Sequence, residues 1–310
     1  QVETAECLPS RVLVLGSRRD RSTPAAVLAA ARRAFRGWPV PLGAGTDADL
    51  YQLNLQRPPS EADFVAWTMN PQVHAFDLRS IAETPEGARA QVESVRSYFP
   101  GKPLCVSAVS LRPRFNPVAT GPRSPVEEGE LPASVDPRQP SLFAAAWTLA
   151  MLAALSEGGL DSATFFETTG SRGVMETASG PLLPDRFPSS PGVVFPLYHV
   201  LADVAAFAGA DVLETTCHGA RDLHALLLRR PGRTRLLLAN LAPHPRRTIL
   251  QVPDRIVLAR SLEVSTTIEA MSRPAKFRER WLTWAGPTLV VPAYGVVTLD
   301  TPPEQGQARA

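Results

Sequence analysis

Cysteine, lysine and aromatic residues are all scarce in this chain of 310 residues. The three cysteines, Cys7, Cys105 and Cys217, lie far apart and show no C-x-x-C spacing. That excludes a disulfide framework and a zinc ribbon, and points to a reducing compartment, the cytoplasm. Lysine occurs only as Lys102 and Lys276, so arginine carries nearly all the positive charge. Basic and acidic residues number 32 and 30, without a Lys/Arg block. A nucleic-acid arm and a polybasic membrane patch are thereby excluded, and no aromatics interleave with basic residues as a nucleic-acid binder requires. The most apolar run, Ser141 to Leu155, is shorter than the ~20 residues of a membrane span and reads as a buried helix. Gln1 to Ser10 lacks the basic start and apolar run of a signal peptide. With 44% apolar and 20% charged residues, the composition is that of a globular protein rather than a disordered one.

Several chemistries are missing as well. Gly16 is followed by Ser17-Arg18-Arg19, so no G-x-G-x-x-G fingerprint follows the first strand. There is no P-loop, no G-x-S-x-G elbow, no H-E-x-x-H and no close His/Cys cluster. The expectation is a protein with no cofactor and no dedicated metal.

What is present is a change of period. From Arg11 to about Ala208, short apolar runs alternate with helical patterns: strands at Arg11–Gly16, Val40–Gly45, Phe64–Asn70, Leu104–Leu111 and Ser162–Glu167, with helices between them. Ser22-Thr23-Pro24 offers an N-cap for the first helix. Thr84-Pro85-Glu86 opens the next, Ser141–Ser156 forms another, and Phe195–Ala208 the last. Alternation of this kind implies βαβ units and a parallel sheet. The fold class expected is α/β, a (β/α)₈ TIM-type barrel. Only five units are found and the chain lacks an initiator Met, so the sequence is expected to hold only the C-terminal part of the barrel. From about Asp211, strands and turns alone are expected, among them a hairpin around Arg230-Pro231-Gly232-Arg233, forming a small antiparallel β-sandwich. The expected domains are 1–209 (barrel), 210–302 (β-sandwich) and a disordered tail, 303–310.

Barrel chemistry sits at the C-terminal ends of strands. The polar groups there are Thr46, Asp47 and Asp49 after the second strand. Asn70, Gln72, His74 and Asp77 follow the third, and Arg112, Arg114 and Asn116 the fourth. Glu167 stands at the end of the fifth, with Arg172 and Glu176 beyond it. Two aromatics precede Glu167, an apolar setting that raises a carboxyl toward general acid or base duty; the bland alternative is a structural ion pair. His74 is read as a proton shuttle or oxyanion donor, against a loop histidine bonded to a neighbouring carbonyl. Arg112 and Arg114 either clamp an oxygen or anchor the loop to Glu127, Glu128 and Glu130. Asp136 and Asp161 read as caps, and His199 as a packed core histidine.

Longer motifs then carry a resemblance. The runs G-T-D-A-D-L-Y-Q-L-N (45–54), N-P-Q-V-H-A-F-D (70–77), L-R-P-R-F-N-P-V-A-T-G-P (111–122), V-D-P-R-Q-P-S-L-F-A-A-A-W-T-L (135–149), F-E-T-T-G-S-R-G-V-M-E-T (166–177) and V-F-P-L-Y-H-V-L-A-D-V (194–204) resemble the D-apionate lactonase family. That family is distantly similar to TIM-barrel glycoside hydrolases with a trailing β-sandwich. The resemblance implies a bacterial hydrolase opening D-apionolactone to D-apionate in apiose breakdown. Its partner would be a small sugar lactone, with no nucleic acid and no membrane. By position and chemistry, Glu167 and His74 are the catalytic candidates. Asp47, Asn70, Gln72, Arg112, Asn116 and Arg172 are the substrate-binding ones. A glycosidase with two carboxylates and a non-catalytic carbohydrate-binding fragment stand as alternatives.

Overall fold

The computed structural model describes residues 9–17, 20–118, 126–251 and 257–301. Cys7, Arg18, Arg19 and the tail from 303 lie outside the described residues. The chain groups into two compact units. The first takes in residues 1–76, 89–125 and 158–166; the second takes in 77–88, 126–157 and 167–310.

The first unit is built on a parallel sheet of five strands in sequential order: β1 (Val12–Val14), β2 (Leu42–Gly45), β3 (Val65–Met69), β4 (Leu104–Val109) and β5 (Ser162–Phe165). All five lie within the runs expected, and sequential parallel order is that of neighbouring staves in a barrel. Apolar residues on both faces explain the unbroken runs. On one face Val12, Val14, Leu42 and Ala44 pack with Leu28 of helix α1 (Ala25–Ala34). On the other, Leu13 meets Phe64, Ala66 and Cys105. Strand β2 is made of small residues because its neighbours crowd it. A Cβ on Gly43 would sit 2.2 Å from the Phe64 ring, and one on Gly45 would sit 1.8 Å from the Ala66 carbonyl.

The helices correct the sequence reading in three places. The Ser22-Thr23 cap of α1 is not made. Pro24 takes the cap position without a side-chain bond, and the Thr23 hydroxyl instead donates to Val14 O and accepts from Gly45 N, tying β1 to β2. Helix α2 (Leu50–Leu55) was not expected; Asp49 caps it by accepting from Gln52 N. Helix α3 runs Leu78–Tyr98, with Pro85 inside rather than at its start. Asp77 caps it, accepting from Ser80 N and Oγ. Pro85 has no N–H for the Ile81 carbonyl, and that carbonyl accepts from the Thr84 hydroxyl instead.

Besides the first half of α3, the second unit holds helix α4 (Leu142–Glu157), β6 (Glu167–Thr169), β7 (Gly173–Met175) and helix α5 (Pro196–Ala205). Strands β8 (Asp211–Leu213), β9 (Leu223–Arg230), β10 (Arg233–Asn240), β11 (Arg246–Ile249) and β12 (Leu258–Leu262) follow. Helices α6 (Thr267–Ser272) and α7 (Pro274–Glu279) precede β13 (Leu282–Thr283), β14 (Thr288–Val291) and β15 (Val296–Asp300). These two short helices correct the expectation of strands and turns alone. Six strands form an antiparallel sheet in the order β13-β12-β15-β10-β9-β8, and β11 pairs with β14. The β9–β10 hairpin is tighter than read: Arg230 pairs with Arg233, leaving Pro231-Gly232 as the turn, with Gly232 at φ 70°.

Both faces of the six-stranded sheet are covered, which is why L-H-A-L-L-L and R-L-L-L-A do not alternate cleanly. Leu223, Leu227, Leu236, Leu238 and Leu299 pack with Leu289 and Val291 of β14. Helix α4 packs against β9, β10 and α5. Its Ala-rich surface is buried nearly all round, as for a helix flanked by protein on several sides. No helix among the described residues is long and apolar enough to cross a membrane.

A buried ionic network joins these layers. Asp203 of α5 accepts from Arg260 through both carboxylate oxygens, from Arg278 and from the Thr298 hydroxyl. Arg235 donates to the Asp203 carbonyl and to Asp300. Burial alone would raise the Asp203 carboxyl, but Arg260, Arg235 and Arg278 outweigh it and hold the group below the usual carboxylate range. His199 is the core histidine expected. Burial presses its pKa down to about 4, against the opposing bond to Ala270 O.

Candidate functional site

In the first unit, loops following β1, β2 and β4 enclose a cavity of about 370 Å³ at the C-terminal rim of the sheet. Asp20, Arg21, Thr46, Asp47, Tyr51 and Gln52 line it, together with Phe115 and Pro117. The position follows from β2. Thr23 pins Gly45, the chain turns directly into Thr46-Asp47, and the Thr46 hydroxyl accepts from Ala48 N. Asp20 is held by Ser17, which donates to it from both N and Oγ. Two half-buried carboxylates, a carboxamide, a guanidinium and a tyrosine around one small cavity suit a polyhydroxylated ligand.

Of the sequence candidates in this unit, Thr46 and Asp47 line that cavity. Gln72 is buried, and its amide donates to Leu111 O, joining the segments that follow β3 and β4. Asn70 has its Oδ1 buried with no partner among the described residues. His74 is exposed. The Arg112 guanidinium lies 5.7 Å from the centroid of Phe76, a cation–π contact. Asn116 is exposed and accepts from Val118 N in a turn. Arg114 reaches Ser107 O at 3.5 Å, and Glu130, one of the acids weighed as its anchor, pairs with Arg186 instead. Asp49 and Asp77 are helix caps. The sequence reading missed Asp20, Arg21, Tyr51, Gln52 and Phe115. The signal for two of them was available, since Asp49 to Leu55 carries a cap followed by helix formers.

In the second unit, Glu167 opens β6 and pairs with Arg172, 2.8 Å from Nη2 to Oε1. The backbone closes the same loop, as Glu167 N donates to Arg172 O at 3.0 Å. The other arm of Arg172 donates to the Ser134 hydroxyl at 3.0 Å. Gly173 allows the turn to close, since a Cβ there would meet the Thr169 backbone at 2.7 Å. Phe166, the residue before Glu167, has φ 58°, a left-handed conformation uncommon for a bulky residue and concentrated at functional sites. The Glu167 side chain is 46% exposed. The apolar setting expected for it is therefore replaced by an open one, with an arginine partner. The ion pair weighed as the bland alternative is present, but the carboxylate stays accessible to a ligand. The Arg172–Ser134 bond was not foreseen, because nothing in Pro132-Ala133-Ser134 marks it.

A family model described as D-apionate lactonase, TIM barrel domain, matches residues 5–209. A D-apionate lactonase from Brucella anthropi is 32% identical over 187 residues, which are 60% of this chain and 29% of that protein. The chain thus spans under a third of the length of this curated relative. Among solved structures, an α-L-arabinofuranosidase from Thermotoga maritima aligns with a TM-score of 0.53 at 7% identity, over 93% of this chain and 62% of that one. A family 51 α-L-arabinofuranosidase from Bifidobacterium longum aligns at 0.52 and 12% identity, over 90% and 62%. At these identities the likeness is one of fold.

Proposed function

The chain belongs to the D-apionate lactonase family, matching the family's TIM-barrel domain over residues 5–209, and on that premise we propose that it opens a sugar lactone, D-apionolactone, to the open-chain acid, D-apionate. Three things must be supplied: an activated water, donors for the tetrahedral oxyanion and a proton for the ring oxygen as it leaves. Glu167 takes the proton of the attacking water. The ester C–O bond of the ring then breaks, and the same group returns the proton to the departing alkoxide. Arg172 holds the Glu167 carboxylate in place, and Ser134 holds Arg172. In the first unit, Gln72 keeps the segments after β3 and β4 in register.

The observation that carries this reading is the pairing of family membership with an accessible Glu167 fixed by Arg172 behind a strained Phe166. The direct test is proton release from D-apionolactone at constant pH. Saturable acid production supports a lactonase. Release of nitrophenol from a nitrophenyl arabinofuranoside, without acid from the lactone, would make the chain a glycosidase instead.

A further inference from the structure

A second carboxylate in the same motif as Glu167 is placed quite differently. Glu176 follows β7 directly and is only 2% exposed. Its Oε1 accepts from Thr177 N at 2.8 Å. Its Oε2 is buried and has no partner among the described residues. A buried carboxylate oxygen left unpaired is costly, and such groups call for a donor. Glu176 lines a cavity of about 540 Å³ in the second unit. Leu131, Pro132, Leu183 and Phe187 give this cavity apolar walls, and Ser171, Thr177 and Ser179 give it hydroxyls. Thr177 Oγ1 and Ser179 Oγ lie 3.1 Å apart, with either able to donate. Glu130 is the other charged side chain of the lining, and it too is acidic.

We propose that this cavity is a binding site for a neutral polyhydroxylated ligand, a sugar or its lactone, in which one ligand hydroxyl donates to Glu176 Oε2 while the carbon face of the ring lies on Leu183 and Phe187. The hydroxyls of Ser171 and Ser179 serve the remaining ligand oxygens, which both donate and accept. An ammonium ligand would offer donors only and leave those hydroxyls unmatched. A sugar acid is disfavoured, since its carboxylate would meet the buried Glu176, whose charge no basic side chain of the lining balances; the exposed Glu130 is already paired with Arg186. The site thus discriminates lactone from acid by charge. The inference stands without turnover, and the probes below are not lactones. Loss of the proposed hydrolysis would leave it untouched, and the reverse holds as well.

The test is a titration of the full chain with D-ribose, D-ribonate and n-butylammonium, followed by backbone amide NMR. D-ribose is expected to bind saturably, with shifts centred on Ser171, Thr177 and Gly180. D-ribonate is expected to bind at least about tenfold more weakly. Glu176→Gln keeps the Thr177 bond but turns an NH₂ toward the cavity, so ribose affinity falls by about tenfold or more, as loss of a hydrogen bond to a charged group implies. Three results would each overturn the proposal: equal binding of ribose and ribonate, shifts confined to residues away from this cavity, or preference for butylammonium. The shift map on the unsubstituted protein decides the matter even if the variant does not fold.

Discussion

Asp203 shows how one side chain can hold a unit together. It faces Arg260, Arg278 and, at 3.9 Å, Arg235, with all but Arg278 almost fully buried. Removing the negative charge leaves buried guanidinium groups uncompensated, the case in which breaking a buried pair costs about 3–5 kcal/mol. Asp203→Asn is therefore expected to lower the stability of the second unit by that amount in urea unfolding. The folded carboxyl is depressed, so its stabilisation is present above the ordinary carboxylate pKa and is lost as pH falls through the folded value. His199 adds a second pH dependence. Its pKa drops from 6.5 to about 4 on folding, so the unfolded chain binds more protons between those values. Stability from this group rises with pH across that window, by at most about 3 kcal/mol. His224, likewise pressed down by burial, acts in the same direction. Urea midpoints at pH 5 and pH 7 should differ accordingly, and His199→Asn should flatten the difference.

At the scale of elements, the strands were legible and the helix starts were not. Strands β2, β3 and β4 lie in apolar runs bounded by Gly, Pro or polar residues and are buried on both faces, which leaves few other readings, while β1 and β5 are only partly buried. Helix α3 was misread because Pro85 looks like a first-turn proline; only the folded chain shows Thr84 filling in for the missing N–H. Helix α2 is too short to display a period. Ser22-Thr23 looked like a cap, but the Thr23 hydroxyl is worth more between two strands than at a helix end. Two substitutions test these assignments. Asp77→Ala removes a cap and is expected to cost about 1 kcal/mol. Gly45→Ala sets a methyl against a backbone carbonyl of β3, and should cost more than a typical surface change while disturbing the Thr46-Asp47 rim. Thermal melts of both variants check the ranking.

At the scale of the molecule, the candidate site was legible in part. The strand-end rule marks Asp47 in the first unit and Glu167 in the second as candidates, because both follow strands whose ends the sequence marks with Gly or aromatics. It did not reveal that Gln72 turns inward, that Arg172 reaches Ser134, or that Glu176 is buried with one oxygen unmatched. Those outcomes depend on loops whose course no short-range pattern encodes. The trailing antiparallel region was expected, and its six-stranded sheet is present. Helices α4 and α5 group with it in one unit, because α4 has no polar face to turn outward.

The claim on which the rest depends is that Glu167 activates the water that opens a sugar lactone. The measurement that bears on it most directly is kcat for D-apionolactone in Glu167→Gln against the unsubstituted chain, with melting curves matched. A general base contributes on the order of 100-fold or more, so the account predicts a fall of at least that size with little change in KM. A variant that turns over at close to the original rate would contradict it.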